Sequence, residues 1–412
     1  MRRPPAKFNP HPFAYHQEIE MQIDSLSNLG QGVGRVDGWV IFVPFALPGE
    51  RVRVRVYRNH KNYSEADLIE IISASAQRVN PVCPIFGTCG GCQYQQLSYD
   101  AQLTWKQEQV SGLLRHMANI EFSVESVIPS PKPYYYRSKI TPHYQASRDG
   151  KCGPIGFLQS GKRFELVDVV HCPIAMEQIN EALPSQRKRV LDRTSQHKKG
   201  ATLLLRATPE GIRTDPRSTA VEVVENLRFE FLAGDFFQNN PFILPAFTNH
   251  VRTEASLSGN RFLVDAYCGS GLFALTSAQA FDQVAGVEIS ESAVRQAIHN
   301  AQTNAINNAR FIAGHASAIF QDIAFPAHET TVIIDPPRAG SDEAFLSQLF
   351  AFMPSRVVYV SCNPATQMRD LKAFLSAGYK LQKVQPFDLF PQTKHLECVI
   401  TLDNSQGQST NS

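Results

Sequence analysis

The chain has 412 residues, of which 43% are hydrophobic and 19% charged, a composition typical of a globular protein with two or three domains. Its formal net charge is only +2, which excludes nucleic-acid binding through total charge and leaves it to local clusters of lysine and arginine. The basic start is followed by no apolar run, and no stretch approaches the ~20 apolar residues that cross a membrane, so we expect a cytoplasmic protein without a membrane partner.

Residues 1–13 are predicted to form a flexible tail, and residues 14–75 a small OB-like β-barrel, because short β segments alternate there with glycines. Arg51, Arg53 and Arg55 alternate with valines, which places the three arginines on the outer face of one strand. Such a face is either solvated or a surface that follows RNA phosphates, and these residues alone leave both interpretations open.

Two stretches of this region, residues 29–34 and 43–50, resemble a TRAM domain. TRAM domains are RNA-binding barrels attached to several RNA-modifying enzymes. The resemblance therefore favours the RNA-binding interpretation of the arginine face.

Three cysteines follow the barrel: Cys83, Cys89 and Cys92, at the spacing C-x5-C-x2-C with glycines between them. Their thiols can converge on one centre, and a fourth ligand must come from elsewhere, for which Cys172 is the best candidate. Four thiolates also make a closed zinc site, and the spacing alone favours zinc.

The sequence around these cysteines, Cys-Pro-x-Phe-Gly and then Cys-Gly-Gly-Cys, is similar to the iron–sulfur motif of bacterial uracil-5 RNA methyltransferases. The resemblance implies a [4Fe–4S] cluster held by Cys83, Cys89, Cys92 and Cys172, within a central β-rich iron–sulfur domain that spans residues 76–234. It also implies that an amphipathic helix at residues 99–117 packs on the catalytic domain.

Two stretches of the central region contain several cationic side chains and could contact RNA. Residues 134–139 read Tyr-Tyr-Tyr-Arg-Ser-Lys, which suits base stacking beside phosphates but equally suits core packing, and the segment resembles the substrate-binding segment of the same family. Residues 186–199 carry six cations against one aspartate, which a surface loop explains as well as RNA binding does.

The pattern changes at about residue 235, where strands begin to alternate with helices, and this alternation predicts a doubly wound parallel sheet over residues 235–403. Residues 404–412 are polar and predict a disordered end. We expect strands at residues 262–267, 284–289, 331–334 and 356–360, and helices at residues 272–280, 291–304, 342–352 and 366–377.

A glycine turn and an acidic residue indicate a nucleotide-like cofactor. The first strand ends in Asp265-x-x-x-Gly-x-Gly and the second in Gly-x-Glu288, whose carboxylate can hold both hydroxyls of a ribose. The third glycine of the dinucleotide fingerprint is missing. The order of these motifs looks like class I S-adenosylmethionine methyltransferases, which implies a Rossmann-like α/β methyltransferase domain.

Cys362 ends a buried apolar strand and precedes Pro364, which suits the first position of a helix. The cysteine is therefore expected at the ligand crevice, where a helix N-terminus would lower the pKa of its thiol. A buried inert thiol is the alternative. Asp335, followed by two prolines and Arg338, is expected to point into the same crevice rather than to join a helix.

Methylation of uracil at carbon 5 would use these residue types. Carbon 5 becomes nucleophilic only after a thiolate adds to carbon 6, and a base must then remove the carbon-5 proton so that the thiolate can leave. Cys362 offers the thiol, and Glu397, beside a closing strand, offers the base, although a surface carboxylate is the alternative.

Asp-Pro-Pro-Arg, Ser-Cys-Asn-Pro and His-Leu-Glu-Cys-Val, in this order, resemble the RNA uracil-5 methyltransferase family over nearly the whole chain. The resemblance implies that Cys362 is the nucleophile and Glu397 the proton acceptor. It implies that S-adenosylmethionine is bound by Gln238, Tyr267, Glu288 and Asp335. Two departures from the family pattern are noted: Tyr267 and Leu272 at the glycine turn, and His315-Ala316 after the following strand.

The substrate uridine must be single-stranded or flipped out, and ribosomal RNA of the large subunit (23S) is the expected substrate because a barrel with a cysteine motif accompanies such enzymes in the family. Some motifs also resemble the eukaryotic transfer-RNA branch. A transfer-RNA T-loop enzyme, an RNA cytosine-5 methyltransferase and a non-catalytic iron–sulfur RNA-binding protein remain alternatives. We expect a monomer.

Overall fold

The computed structural model describes residues 4–145, 152–193, 200–314, 319–320 and 323–404. The chain divides into two compact units, each assembled from separate stretches of sequence. The first unit comprises Met1–Gln109, Phe157–Asp168 and Gln392–Lys394, and the second comprises Val110–Gly156, Val169–Pro391 and His395–Ser412.

The described part of the first unit contains a closed five-stranded barrel whose strands are ordered β1-β2-β3-β5-β4. Its core consists of apolar side chains that alternate along the strands, including the valines of β4. A Cβ at Gly34 would collide with the backbone of Gln22, so glycine allows β1 and β2 to approach closely. The strands are β1 (Glu18–Leu26), β2 (Gln31–Val36), β3 (Trp39–Pro44), β4 (Arg51–Asn59) and β5 (Tyr63–Ser73).

The barrel arginines are engaged by carboxylates on the neighbouring strands, because β4 pairs with β1 on one side and with β5 on the other. This cross-strand ladder differs from the open phosphate-binding face that the sequence suggested. The ion pairs are Arg51–Glu20 at 2.9 Å, Arg53–Glu20 at 3.1 Å, Arg53–Glu70 at 2.7 Å and Arg55–Asp67 at 3.3 Å.

Part of the predicted N-terminal tail is tied to the barrel. Phe13 is buried in the barrel core, and Asn59 Nδ2 donates to the carbonyl oxygens of Asn9 at 2.8 Å and Phe13 at 2.7 Å. These contacts fix residues that the sequence placed in a flexible segment, because the local composition contains no sign of the distant Asn59.

The helix that the sequence placed at residues 99–117 is observed as α1 (Tyr99–Leu113), followed by a π-helical turn over Leu114–Ala118. In the first unit, Ala101 and Trp105 of α1 pack with Leu26 and Leu47. The turn is closed by Asn119 in the left-handed conformation, with φ of 59°.

Short strands and the helix α2 follow α1 in the segment that leads to the catalytic sheet. Within the second unit, β11 pairs with β6 and β12, and β13 forms a hairpin with β14. The elements are β6 (Lys139–Ile140), β7 (His143–Tyr144), β8 (Gly156–Leu158), β9 (Leu166–Asp168), α2 (Glu177–Asp192), β10 (Ala201–Thr202), β11 (Leu205–Thr208), β12 (Gly211–Arg213), β13 (Thr219–Val224) and β14 (Leu227–Leu232).

The second unit contains the predicted alternation of strands and helices, with most boundaries within two residues of the expected ones. Its elements are α3 (Leu244–Ser256), β15 (Phe262–Ala266), α4 (Leu272–Ser277), β16 (Gln283–Glu288), α5 (Glu291–Thr303), β17 (Ala309–Ala313), β18 (Thr330–Ile334), α6 (Glu343–Phe352), β19 (Arg356–Ser361), α7 (Pro364–Ser376), β20 (Tyr379–Phe387) and β21 (Glu397–Asn404).

Over the described residues these strands form a seven-stranded sheet in the order β17-β16-β15-β18-β19-β21-β20. The sequence predicted a parallel sheet. The observed sheet is mixed, because β21 runs antiparallel to both β19 and β20. The chain crosses from β19 through α7 to β20 and then returns as β21 into the gap between them. The start of β21 therefore lies at the same edge as the carboxyl ends of the parallel strands.

None of the described helices is both long and apolar enough to cross a membrane.

Candidate active site

Three acidic or nucleophilic side chains meet at the carboxyl edge of the sheet. Asp335 follows β18, Cys362 follows β19, and Glu397 is the first residue of β21. Because Ser361 pairs with Cys398 in the antiparallel register, Glu397 is brought beside Cys362. Cys362 is half-buried and Glu397 is buried. The structure thus assembles the predicted nucleophile and the predicted base in one crevice.

The thiol of Cys362 is harder to ionise than the sequence predicted. Its pKa is raised to about 11, mainly by burial and then by the neighbouring carboxyl groups of Glu397 and Asp335, while Arg338 opposes the rise through its charge and a hydrogen bond. Pro364 does begin α7 two residues after the cysteine, with Asn363 as the N-cap. The predicted lowering of the pKa is nevertheless wrong, because desolvation and two nearby carboxyl groups outweigh the helix N-terminus.

The two carboxyl groups face each other in a poorly solvated site. Burial raises the pKa of Asp335 to about 7. Burial also raises the pKa of Glu397 well above its usual range, the charge of Asp335 adds to this, and Arg338 opposes it. Two like charges in a poorly solvated site disfavour double ionisation, which adds to the rise in the pKa of Glu397.

Arg338 is a residue of this site that the sequence analysis did not single out. Its side chain hydrogen-bonds to the Cys362 thiol, and its guanidinium lies 3.5 Å from Nδ1 of His395. The available signal was its place in Asp-Pro-Pro-Arg, three residues after Asp335. A cation at this position favours the thiolate over the thiol.

The cofactor end of the crevice is formed by the loops after β15 and β16. Asp265 is fully buried, and its Oδ2 accepts a hydrogen bond from the backbone of Ala274 at 2.8 Å, which fixes the glycine turn against α4. The carboxylate of Glu288 accepts from Gly269 N at 3.1 Å and from Ser290 N at 2.9 Å. A carboxylate has about four acceptor positions, so Glu288 retains capacity for two hydroxyl groups.

Gln238 carries the clearest sign of a missing ligand. The residue is only 5% exposed, and its side-chain Oε1 has no hydrogen-bond partner among the described residues. A buried amide oxygen is costly without a donor, so a bound molecule that brings one fits this position. Asn239 Oδ1 is in the same condition. These residues fit a cofactor that carries an ammonium group.

Tyr267 adopts the left-handed conformation, with φ of 67°, and its ring packs edge-on against Phe345 at 5.2 Å between centroids. Its side chain is thus part of the packing against α6.

Comparison with known proteins relates this geometry to a family. A family model described as tRNA (Uracil-5-)-methyltransferase matches residues 178–405, and a TRAM domain model matches residues 16–69. The chain is 42% identical to the tRNA (uracil(54)-C(5))-methyltransferase of Schizosaccharomyces pombe, over 95% of this chain and 79% of that protein. The chain belongs to the tRNA (uracil-5-)-methyltransferase family.

Two further relatives agree with this family membership. The tRNA (uracil(54)-C(5))-methyltransferase of Saccharomyces cerevisiae is 33% identical, over 93% of this chain and 73% of that protein. The crystal structure of the Pyrococcus abyssi tRNA (uracil-54, C5)-methyltransferase in complex with S-adenosyl-L-homocysteine is 25% identical, with a TM-score of 0.73, and covers 93% of this chain and 100% of that chain. The protein is thus an RNA (uracil-5-)-methyltransferase with an N-terminal TRAM domain.

The four cysteines of the motif in this methyltransferase are divided between the two units. Cys83, Cys89 and Cys92 lie in the first unit and Cys172 in the second. Among the residues that the structure describes, no group of three or more His, Cys, Asp or Glu side chains could hold a metal ion. Burial raises the pKa of Cys89, and Cys83 adds to this, so at least these two lie close together. The predicted [4Fe–4S] cluster is thus not shown by the described residues, and no catalytic step is derived through it.

The segment of residues 134–139, predicted to bind substrate, is largely part of the fold. Tyr136 is fully buried, and its hydroxyl donates to the carbonyl oxygen of Pro391 at 3.0 Å. Lys139 Nζ donates to the carbonyl oxygens of Gly234 at 2.8 Å and Asp235 at 3.1 Å. Tyr136 thus packs in the core, the alternative that the residues alone left open, and Lys139 is engaged by two backbone carbonyl oxygens. They support the loop that leads to Gln238.

The remaining sequence-based expectations concern the basic stretch and the departures from the family pattern. Arg187 donates to the carbonyl oxygens of Ile155 at 2.6 Å and Val169 at 2.9 Å, so it is a structural residue. Leu272 is buried in the first turn of α4. Residues 194–199 and His315-Ala316 lie outside the described residues.

Proposed function

We propose that this enzyme transfers a methyl group from S-adenosylmethionine to carbon 5 of a uridine in transfer RNA, at the T-loop position 54. The observation that carries the proposed chemistry is the meeting of Cys362 and Glu397 at one sheet edge. The transfer-RNA substrate is supported by the names of the Schizosaccharomyces pombe, Saccharomyces cerevisiae and Pyrococcus abyssi relatives. Transfer RNA therefore replaces ribosomal RNA as the favoured substrate.

In this proposal Cys362 adds its sulfur to carbon 6 of a flipped-out uracil, which makes carbon 5 nucleophilic. Bound S-adenosylmethionine supplies the methyl group. Glu397 then accepts the carbon-5 proton, the carbon 6–sulfur bond breaks, and the electrons of that bond return to Cys362. Gln238 and Glu288 hold the cofactor through the acceptor capacity that the fold leaves open.

The high pKa of the Cys362 thiol requires a partner that takes its proton. Asp335 and Glu397 are within electrostatic range of the thiol and have raised pKa values, so a carboxylate of this pair relays the thiol proton to solvent as the sulfur adds, which leaves Glu397 ionised to accept the carbon-5 proton. Arg338 stabilises the thiolate. As the pH falls through about 7, Asp335 becomes protonated and activity should fall.

The direct test combines purified protein, S-adenosylmethionine and transfer-RNA transcript, followed by identification of the methylated nucleoside. We expect 5-methyluridine, complete loss of product with Cys362→Ala, and no product from a transcript whose uridine 54 is replaced by cytidine. Formation of 5-methylcytidine would favour the cytosine-5 alternative, and full activity of Cys362→Ala would exclude the nucleophile.

The substrate is tested separately by mapping 5-methyluridine in transfer and ribosomal RNA from a strain that lacks the gene. We expect the loss in transfer RNA. A loss confined to 23S ribosomal RNA would overturn the substrate proposed here while leaving the chemistry intact.

The iron–sulfur cluster, the cytoplasmic location and the monomeric state stay predictions. The cysteine spacing and the proximity of Cys83 to Cys89 support the first of them. Iron and sulfide analysis of anaerobically purified protein checks it, with about four of each expected per chain. Stoichiometric zinc instead would identify the alternative site.

A further inference from the structure

The helix that follows the nucleophile contacts every segment that bears a reactive group of the proposed mechanism. Just before α7, Asn363 Nδ2 donates to the carbonyl oxygen of Arg338 at 3.0 Å. In its first turn, Thr366 Oγ1 donates to the same oxygen at 3.3 Å. The backbone of Arg338, whose side chain meets the Cys362 thiol, is thus held from α7 at two points.

One turn further, Asp370 holds the end of the same loop. Its buried Oδ2 accepts from the backbone of Ser341 at 2.9 Å and from the hydroxyl of Tyr359, on β19, at 2.7 Å. Gly340 lies directly against this carboxylate: a Cβ there would come 2.7 Å from Asp370 Oδ2, and φ is +83°. The loop that contains Asp335 and Arg338 therefore closes onto α7 only with glycine at this position.

Gln367 links the strands that carry the nucleophile and the base. The residue is fully buried, and its Nε2 donates to the carbonyl oxygen of Tyr359 on β19 at 2.9 Å and to that of Cys398 on β21 at 3.0 Å. Cys398 is next to Glu397, and Tyr359 is three residues before Cys362. A single amide group thus joins the two strands at the end where both reactive side chains lie.

We propose that Gln367 and Asp370 are positioning residues: Gln367 sets the separation of Cys362 from Glu397, and Asp370 sets the loop that presents Asp335 and Arg338. The inference rests on the roles proposed above for Cys362 and Glu397. The sulfur must reach carbon 6 and the carboxylate must reach the proton on the adjacent carbon 5, so the two groups act on neighbouring atoms of one ring. A strand shift of about 1 Å at either site misaligns one of them.

Loss of the Gln367 link should affect catalysis in a way that a general loss of stability would not. If β21 moves relative to β19, Cys362 can still add to the ring and methyl transfer can still occur. Proton removal by Glu397 is then slow, and the carbon 6–sulfur bond persists. The protein should therefore accumulate as a covalent complex with methylated RNA.

The test compares Gln367→Met with a matched control, Gln385→Met. Gln385 is also buried, and its Nε2 also donates to two carbonyl oxygens, of Ser126 at 2.8 Å and Pro386 at 3.0 Å, but it does not link β19 to β21. Both variants are assayed for melting temperature, cofactor dissociation constant, kcat, and the fraction of protein that migrates as an RNA adduct in denaturing gels.

We expect similar falls in melting temperature for the two variants, but a fall in kcat of about tenfold or more and a raised adduct fraction only for Gln367→Met, with its cofactor affinity unchanged. Asp370→Asn should lower kcat without raising the adduct fraction, because it loosens the Arg338 loop rather than β21. Equal kcat values for Gln367→Met, Gln385→Met and the wild type would overturn the inference.

Two further variants are assayed beside these. If Gln367→Met does not fold, Thr366→Val removes a less buried contact to the Arg338 carbonyl, and a fall in kcat of about twofold to fivefold is expected, whereas no fall would count against α7 as an organising element. Cys362→Ala, assayed in parallel, must give neither product nor adduct. An active Cys362→Ala protein would reject the proposed function itself, rather than the positioning roles alone.

Discussion

The arginine-bearing face of the barrel and the active site both contain several charged groups, but these groups are paired and solvated on the barrel and poorly solvated in the active site. On β4 each of the three arginines meets a carboxylate on a neighbouring strand, and these groups stay exposed to solvent. At the sheet edge two carboxyl groups and a thiol are poorly solvated and face one cation, Arg338. Solvated charges of opposite sign on the barrel stabilise each other, whereas desolvated like charges at the sheet edge shift pKa values toward those that proton transfer needs.

The largest effect is expected from Glu397→Gln, which removes the proposed base while preserving the shape of the side chain. We expect kcat to fall by about three orders of magnitude and the RNA adduct to accumulate, because proton removal from carbon 5 stops after methyl transfer. Denaturing gels with labelled RNA measure the adduct. Rapid turnover without adduct would show that another group accepts the proton.

Asp335→Asn tests whether like charge raises the pKa of the thiol. The Asp335 carboxylate disfavours the thiolate, so its neutral replacement should lower the pKa of Cys362 from about 11 and increase the fraction of thiolate at any pH below that value. The pH dependence of iodoacetamide alkylation at Cys362, read by mass spectrometry, measures the shift. Methyl transfer should nevertheless fall, because Asp335 also belongs to the crevice that holds the reactants.

On the barrel, Glu20→Gln should release Arg51 and Arg53 from their shared partner. If the arginine ladder contacts RNA phosphates, affinity for transfer RNA should rise by about twofold to fivefold at low salt and the dependence on salt should steepen. Asp37→Asn is the matched control, since it removes one exposed charge from the same barrel without being a partner of these arginines. An equal response of both variants would indicate net charge rather than the ladder.

The smallest effect is expected from Tyr136→Phe. The loss of the buried hydroxyl leaves the carbonyl oxygen of Pro391 without this donor, so the free energy of unfolding should fall by about 1 kcal/mol. Transfer-RNA affinity should not change, because the ring is fully buried. Thermal unfolding and a filter-binding assay check the two statements, and weaker RNA binding would restore the substrate-binding interpretation of residues 134–139.

The sequence by itself determined the barrel strands, the alternation of strands and helices, and the residue types of the crevice. These follow from local pattern: valines alternate with arginines on β4, Pro364 begins α7, and a buried apolar run precedes both Asp335 and Cys362. Each signal depends on neighbouring residues, so no knowledge of distant partners is required.

Only the tertiary structure decided what depends on residues far apart in the chain. The antiparallel insertion of β21 brings Glu397 beside Cys362, the burial created there raises the pKa of the thiol instead of lowering it, and carboxylates of β1 and β5 neutralise the barrel arginines. The same holds for Gln367 and Tyr136, whose partners are 31 and 255 residues away. Desolvation and charge pairing are properties of the assembled surroundings, and a residue's own neighbours in the sequence do not fix them.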